Sequence, residues 1–545
     1  MASFTISGQL VDLHQRRTYP AGIVVESGRI LSVTETGEAP PHYILPGFVD
    51  AHVHIESAML SPAAFAQEAV RHGTVATVSD PHEIANVCGE AGVRWMIDNA
   101  AQTPFKIRFG APSCVPATGF ETAGAALDAA AIESLMAWPD IWYLAEMMNY
   151  PGVMQGDGEV LKKIAAAKAA GKPVDGHAPG LRGEAANQYA AAGISTDHEC
   201  VALEEALDKI GAGMHILIRE GSAAKNFDAL HPLLGLHPDR VMLCSDDKHP
   251  DDLVRGHINE LVVRAVELGY DVQDVLRAAC VHPVLHYKLD VGLLRVGDPA
   301  DFIVVEDLKD FAVRQTFIDG RKVAENGRSL IPDAPARQIN HFLAQRRVEA
   351  DFGIPAGAAG NIRVIAAQDG QLVTGASICA AKAEDGMLVS DTAGDVLKIV
   401  VINRYESLAP PAFAMIRGFG LQRGAIASTV AHDCHNIIAV GADDASLCAA
   451  INALIDAKGG VAVACGADDV QCLPLPIAGL MTDRSAAETG AAYSRISQSA
   501  KALGSRLGAP FMTLSFMALL VIPSLKLSDK GLFDGEAFRF VPLHA

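Results

Sequence analysis

No Cys-x-x-Cys pair occurs in the 545 residues, and the ten cysteines are scattered singly. That excludes a zinc ribbon or a dithiol redox motif and suggests reduced, individually buried thiols in a cytoplasmic protein. No basic run offsets the acid: 64 acidic against 44 basic side chains leave a net charge of −20. Nucleic acid backbones and anionic membranes are therefore poor partners, and the charge is read as serving solubility. The N-terminus, Met1-Ala2-Ser3-Phe4-Thr5, lacks a basic region followed by an apolar core, so no signal peptide is expected. The most apolar late segment, Phe511 to Leu520, is too short to span a bilayer and is followed by Pro523. It reads as a buried strand or helix. Gly418-Phe419-Gly420 has the wrong spacing to Gly424 for a dinucleotide fingerprint. No convincing internal repeat is found.

What is present suffices for a large core. Half the residues are hydrophobic and a fifth are charged, a globular balance in a chain too long for one ordinary domain. The organising stretch is Leu45-Pro46-Gly47-Phe48-Val49-Asp50-Ala51-His52-Val53-His54. It is an apolar, strand-forming run that ends in two histidines. On a strand, residues i and i+2 share a face, so both imidazoles can reach one point at its C-terminal end.

Downstream, strand-like and helix-like runs alternate through residues 45–289. Candidate strands are Val49–His54, Val75–Ser79, Ile107–Gly110, Ile141–Glu146, Pro173–His177, Ile194–His198, Met214–Ile218 and Val241–Ser245. Helical runs such as Ala63–His72, Gly89–Ala101, Glu159–Ala170, Gly183–Ala192 and Leu203–Ile210 lie between them. Eight such repeats fit an α/β fold of the (β/α)8, TIM-like barrel type, with chemistry at the C-terminal strand ends. A doubly wound open sheet is the alternative. Closure is preferred because functional residues end six of the eight strands, and only closure brings them to one point.

The flanks read differently. Residues 1–44 carry short strands, and a matching β-rich piece appears at 290–345. The simplest arrangement has the two pieces completing one flanking β-sandwich, with the barrel inserted between them. Residues 346–545 read as a separate C-terminal α+β domain, with strands such as Val396–Ile402 and helices at Asp444–Ala457 and Ala487–Leu503.

Six strand-end residues make a donor set: His52, His54, Glu146, His177, His198 and Asp246. Imidazoles and carboxylates in this number can hold two divalent ions bridged by one carboxylate, and such a set accepts manganese, iron or zinc. His82-Glu83, after Asp80-Pro81, suits the opening of a helix, where acidic residues are favoured. His432, Asp433, His435 and Asn436 suit a polar loop, or a lid over the barrel mouth that brings His435 to the substrate.

His52-Val53-His54, the single histidines on the fifth and sixth strands, Asp246 on the eighth and Gly297-Asp298-Pro299-Ala300-Asp301 resemble the amidohydrolase superfamily. Many members carry a carboxylated lysine on the fourth strand, where this chain has Glu146. Within the superfamily the chain resembles the bacterial adenine deaminase family. That likeness rests on Asp80-Pro81-His82-Glu83-Ile84-Ala85-Asn86-Val87, Glu146-Met147-Met148-Asn149-Tyr150-Pro151-Gly152-Val153, Asp175-Gly176-His177-Ala178-Pro179 and Cys244-Ser245-Asp246-Asp247. It continues at Ala431-His432-Asp433-Cys434-His435-Asn436 and along Leu514 to Pro523, so it covers essentially the whole chain.

The resemblance implies a binuclear iron or manganese centre with Glu146 bridging, a purine base as substrate, and a homo-oligomer, a dimer or larger. Its reaction would be hydrolysis of adenine to hypoxanthine and ammonia. Asp246 would then manage the proton of the attacking water. Glu83 would act as the acid near N1, and His82 would position substrate or water. Arg219 and Ser222 would contact the purine, although a surface loop explains them as well. Asp247 would touch the substrate or hold a ligand histidine. The competing readings are hydrolysis of a cyclic amide or another aminated heterocycle at the same centre, and an inactive scaffold of the same fold. Pro-Cys-x-x-Cys zinc deaminases are excluded by the missing motif.

Overall fold

A computed structural model describes residues 3–357 and 360–545; Met1 and Ala2, where the N-terminal reading begins, lie outside the described residues. Its centre is a ring of eight parallel strands: β1 (Phe48–Val53), β2 (Thr74–Ser79), β3 (Lys106–Ala111), β4 (Ile141–Met147), β5 (Val174–Gly176), β6 (Thr196–Asp197), β7 (His215–Arg219) and β8 (Val241–Cys244). Strands β1 to β5 pair in sequence, as do β6 to β8. The Ser195 amide donates to the Val174 carbonyl at 2.9 Å and links β5 to β6. The Asp246 amide donates to the His52 carbonyl at 3.0 Å, and the His54 amide to the Asp246 carbonyl at 3.3 Å, which closes β8 onto β1. The closed barrel expected from the repeat is present.

Strands β1 and β2 are buried along their whole length, as befits parallel strands covered on both faces. The helix after β2 runs His82–Ala100 and is broken at Gly89, where φ is 59° and ψ −146°. The helical pattern read from Gly89 onward is thus the second arm of a longer element that opens at His82.

The two flanking β segments form one continuous eight-stranded sheet rather than two separate layers. Tyr43–Pro46 pairs on one side with Phe4–Asp12 and on the other with Phe302–Val305. The sheet nevertheless folds over on itself. Phe4 and Phe317 lie three strands apart, roughly 14 Å in a flat sheet, yet their rings stack at 5.6 Å. The two chain segments thus complete one flanking sandwich as expected, its halves packed on a shared core and joined edge to edge where Tyr43–Pro46 pairs with Phe302–Val305. Gly8 lies inside the strand Phe4–Asp12, where a Cβ would sit 3.0 Å from His42 and Ile44. Gly47 passes the chain from this sheet into β1, where a Cβ would fall 2.2 Å from Val75.

The last segment contains a second eight-stranded sheet, and alternation along its strands explains its place. In Leu397–Ile402, Leu397, Ile399 and Val401 join the core that is continuous with the barrel. Val400 and Ile402 face the core under helix Asp444–Ala457. Strand Gly460–Cys465 repeats the rule, with Val461 and Val463 towards the barrel core and Ala462 and Ala464 towards the helix. The apolar run near Phe511 is a helix, Pro510–Ser515, followed by a 3-10 turn, Phe516–Ala518, all buried. Among the described residues no helix is long and apolar enough to cross a membrane, and no cysteine forms a disulfide.

Candidate metal centre

All six strand-end donors meet at the C-terminal mouth of the barrel, buried. His52 Nε2 lies 3.1 Å from His54 Nε2 and 3.6 Å from Asp246 Oδ1, and His54 Nε2 is 3.3 Å from both Asp246 Oδ1 and Glu146 Oε1. His177 Nδ1 and His198 Nε2 approach the other oxygen, Glu146 Oε2, at 2.7 and 3.0 Å. Glu146 therefore presents one oxygen to His54 and the other to the His177/His198 pair. The carboxylate thus faces two separate sets of imidazoles at once.

The donor chemistry fits divalent ions. His54 Nδ1 lies 3.2 Å from the Asp80 carbonyl, which can only accept. The Nδ1 proton is thereby engaged and Nε2 faces Asp246 and Glu146, whose carboxylates, against burial, raise His54 well above its ordinary value. Ligands about 2.1 Å from one ion sit roughly 3.0–3.5 Å from each other, which matches these separations. Burial and the neighbouring rings of His198 and His54 push His52 well below its ordinary value, so it stays neutral and able to ligate. Burial alone would raise Glu146, but the imidazoles, His177 foremost, hold its carboxyl well below the usual range.

Arg219 is 2 % exposed, and its guanidinium is committed to Glu199 and, at 2.9 Å, to Asp246 Oδ2. It holds that carboxylate in place, and with burial opposing, Arg219 leads the groups that depress the Asp246 pKa. Asn226 accepts from the Arg219 amide at 2.8 Å and donates to the carbonyls of His198 and Cys200, locking β6 to β7. The Tyr189 hydroxyl accepts from the His177 amide at 3.1 Å and donates to the Met147 carbonyl at 2.8 Å.

Glu83 is buried beside this centre. Ser57 Oγ lies 3.0 Å from Glu83 Oε1 and 2.6 Å from Asp247 Oδ1. A hydroxyl has one proton, so Ser57 donates fully to one of the two acids and can accept from the other only if that acid carries a proton. Burial, then the charges of Glu56 and Asp247, push Glu83 well above the carboxylate range, which favours a proton on Glu83. His82 Nδ1 faces Asp80 at 3.2 Å and Glu146 at 3.6 Å, and its Nε2 faces Asp433 at 3.6 Å. His435 is fully buried behind Glu83, 4.0 Å from it, and its Nδ1 accepts from the Ala431 amide at 3.2 Å.

At the centre of the site is a small cavity, about 20 Å³, whose walls include His54, His82, Glu146, Asp246 and Asp247. The last segment supplies the other side through Leu372, His432, Asp433, Phe516 and Leu519. Ser222 is not brought there: its hydroxyl donates to Asp252 at 2.5 Å and accepts from the His249 amide at 2.8 Å. The loop geometry after β7 thus corrects the expectation of a substrate contact at Ser222. Arg219 does line the cavity, with its guanidinium engaged by Glu199 and Asp246. A larger hollow of about 180 Å³ beside Glu220, Lys248 and Arg264 holds charges already paired, Lys248 with Glu260 at 2.9 Å and Arg264 with Glu220 at 3.2 Å.

Sequence reading missed Glu199, Asp80, Ser57 and Asn226 as parts of the site. Glu199, next to His198, and Asp80, directly after Ser79, each stand at a strand end and carried a signal of position; Ser57 and Asn226 carried none.

The model of the amidohydrolase family matches residues 43–323, about half of the chain, and the chain belongs to that family. The model of the adenine deaminase C-terminal domain matches residues 371–539. An adenine deaminase of Salinibacter ruber is 57% identical over 541 residues, covering 99% of both chains. One from Methanosarcina barkeri is 52% identical over 551 residues, again covering 99% of each. Within the amidohydrolases the chain is therefore a member of the adenine deaminase family. Among solved structures, a β-aspartyl dipeptidase of Fervidobacterium islandicum AW-1 overlaps 59% of this chain and 96% of its own, at 15% identity and a TM-score of 0.44.

Proposed function

We propose that this chain hydrolyses adenine to hypoxanthine and ammonia at a binuclear divalent centre held by His52, His54, Glu146, His177, His198 and Asp246. The observation that supports it most is the split of the two Glu146 oxygens between separate imidazole groups, in a chain more than half identical to adenine deaminases along its length. Manganese or iron is the proposed load; imidazole with carboxylate suits either. When bound, the ions supply hydroxide at neutral pH by lowering the pKa of water from about 15.7 towards roughly 7.

The chain's own groups do the rest. Asp246, steadied by Arg219, is placed to take the proton of the attacking water and give it to the departing amine. Attack at C6 pushes charge onto N1. Glu83, protonated and buried, supplies the proton there, an effect worth about 10²- to 10⁴-fold. His82 positions the reacting pair between Glu146 and Asp433, and Asp247 holds Ser57 against Glu83. The cavity walls contributed by residues 346–545 exclude bulk water from the base. We place the protein in the cytoplasm, as a homo-oligomer acting in purine salvage.

Ammonia release measured on a panel of purines, with metal analysis of the same sample, tests the proposal. Hypoxanthine formed from adenine with two ions per chain is expected. Turnover of a cyclic amide in place of adenine would replace this reading with its alternative.

A further inference from the structure

The roof of the cavity rests on a lysine that no acid accompanies. Lys526, on strand Leu525–Ser528, is fully buried, and among the described residues no carboxylate lies within ion-pair distance of it. Its Nζ donates to the Leu372 carbonyl at 2.7 Å and to the Phe516 carbonyl at 2.9 Å. Leu372 and Phe516 both line the cavity. Burial pushes the Lys526 ammonium down to about 7, and the two N–H bonds of a neutral amine still match two acceptors. Removing an amine from water is costly without compensation, so a buried lysine here calls for a task.

The surrounding bonds indicate the task. The Leu372 loop is tied to the same strand by the Thr374 hydroxyl, which donates to the Leu525 carbonyl at 2.8 Å. It reaches the barrel where the Ala224 amide donates to the Gly370 carbonyl at 3.2 Å. The Phe516 turn meets the His432 loop, whose amide donates to the Ser515 carbonyl at 3.1 Å, and the Phe516 ring stacks on His432 at 4.8 Å. Lys526 joins the two groups directly.

We propose that Lys526 is a positioning residue for substrate enclosure: its amine fixes the Leu372 loop and the Phe516 turn to each other, so the apolar wall over the base exists only while both bonds are made. This rests on reading the cavity as the substrate site.

The test compares full-length, metal-loaded wild type with Lys526→Met, which keeps the length of the side chain and deletes both donors. KM for adenine is expected to rise at least tenfold with kcat within threefold and metal content unchanged, the pattern of lost uniform binding. Amide exchange in residues 368–374 and 514–520 is expected to quicken at least tenfold, with the barrel strands unaffected. A lysine that is merely structural would lower thermal stability and leave KM and the exchange pattern as they were. Either KM or local exchange staying at the wild-type value overturns the proposal. A wild type that leaves adenine intact would sink the function instead, and exchange would still report on Lys526. Should the variant not fold, exchange in the wild type decides: both segments opening at one common rate support the proposal, and rates differing more than tenfold overturn it.

Discussion

One proton shared among Ser57, Glu83 and Asp247 sets the chemistry available at the residue scale. Because Ser57 Oγ reaches both acids, a proton on one of them completes the network, and burial favours Glu83 as its holder. Glu83→Gln keeps a donor in place but removes the transferable proton. It should leave metal content unchanged and lower kcat by about 10²- to 10⁴-fold, read by steady-state kinetics beside metal analysis. Glu146→Gln should behave differently, losing metal and activity together, because one of its two facing oxygens becomes an amide; full metal occupancy in that variant would remove the bridging role. A third carboxyl makes a pH-dependent prediction. Burial, with the Asp433 charge adding, pushes Glu121 from 4.5 up to about 8. The folded chain therefore keeps a proton that the unfolded chain releases in that window. The associated stability is complete below about 4.5 and is lost as pH rises through about 8. Glu121→Gln should remove that slope, so that the variant gains on wild type between pH 5 and pH 9 by on the order of a few kcal/mol, measured by urea unfolding.

At the scale of elements, strand ends were the legible part. Most barrel strands are apolar runs that end at a polar residue, and the ring geometry converts that end into a position at the mouth. Convergence from outside the repeat was not legible. Asp433 lies opposite His82 only because a loop from the second sheet descends there, and Ser222 turned away because Asp252 and the His249 amide hold it. The pairing of Tyr43–Pro46 with Phe302–Val305 left no local mark either, since hydrogen-bonding partners in sheets are chosen by backbone. Helix Leu203–Gly211 shows how an element carries a ligand. Its Lys209 is buried, 3.0 Å from Asp197 and 2.9 Å from Glu205, and donates to the Ala178 carbonyl at 2.7 Å. Asp197 in turn accepts from the amides of Ala178 and Glu199, fixing the chain on either side of His177 and His198. Lys209→Met should leave Asp197 buried without its cation and destabilise the fold by about 3–5 kcal/mol, with weakened metal retention measured by dialysis against a chelator.

For the whole molecule, the question is whether barrel and last segment unfold together. The barrel core runs without a break into the inner face of the second sheet, from Val49 and Ile218 to Ile399, Val461 and Phe511. Polar ties cross the same seam: the Thr122 amide donates to Asp529 at 2.9 Å, and Asn436 donates to the Thr122 carbonyl at 2.9 Å. A chain of this length ordinarily melts in parts, because separate cores release separately. Here, parting the two units would expose the barrel mouth and one apolar face of the sheet at once. Calorimetry of the metal-loaded protein should therefore show one transition. An ion bound at 1,000 times its dissociation constant adds about 4 kcal/mol to the folded state, so chelation should lower that single transition by several degrees. If only part of the heat absorption moved on chelation, the two units would be independent, and the cavity walls drawn from residues 346–545 would open without cost to the barrel.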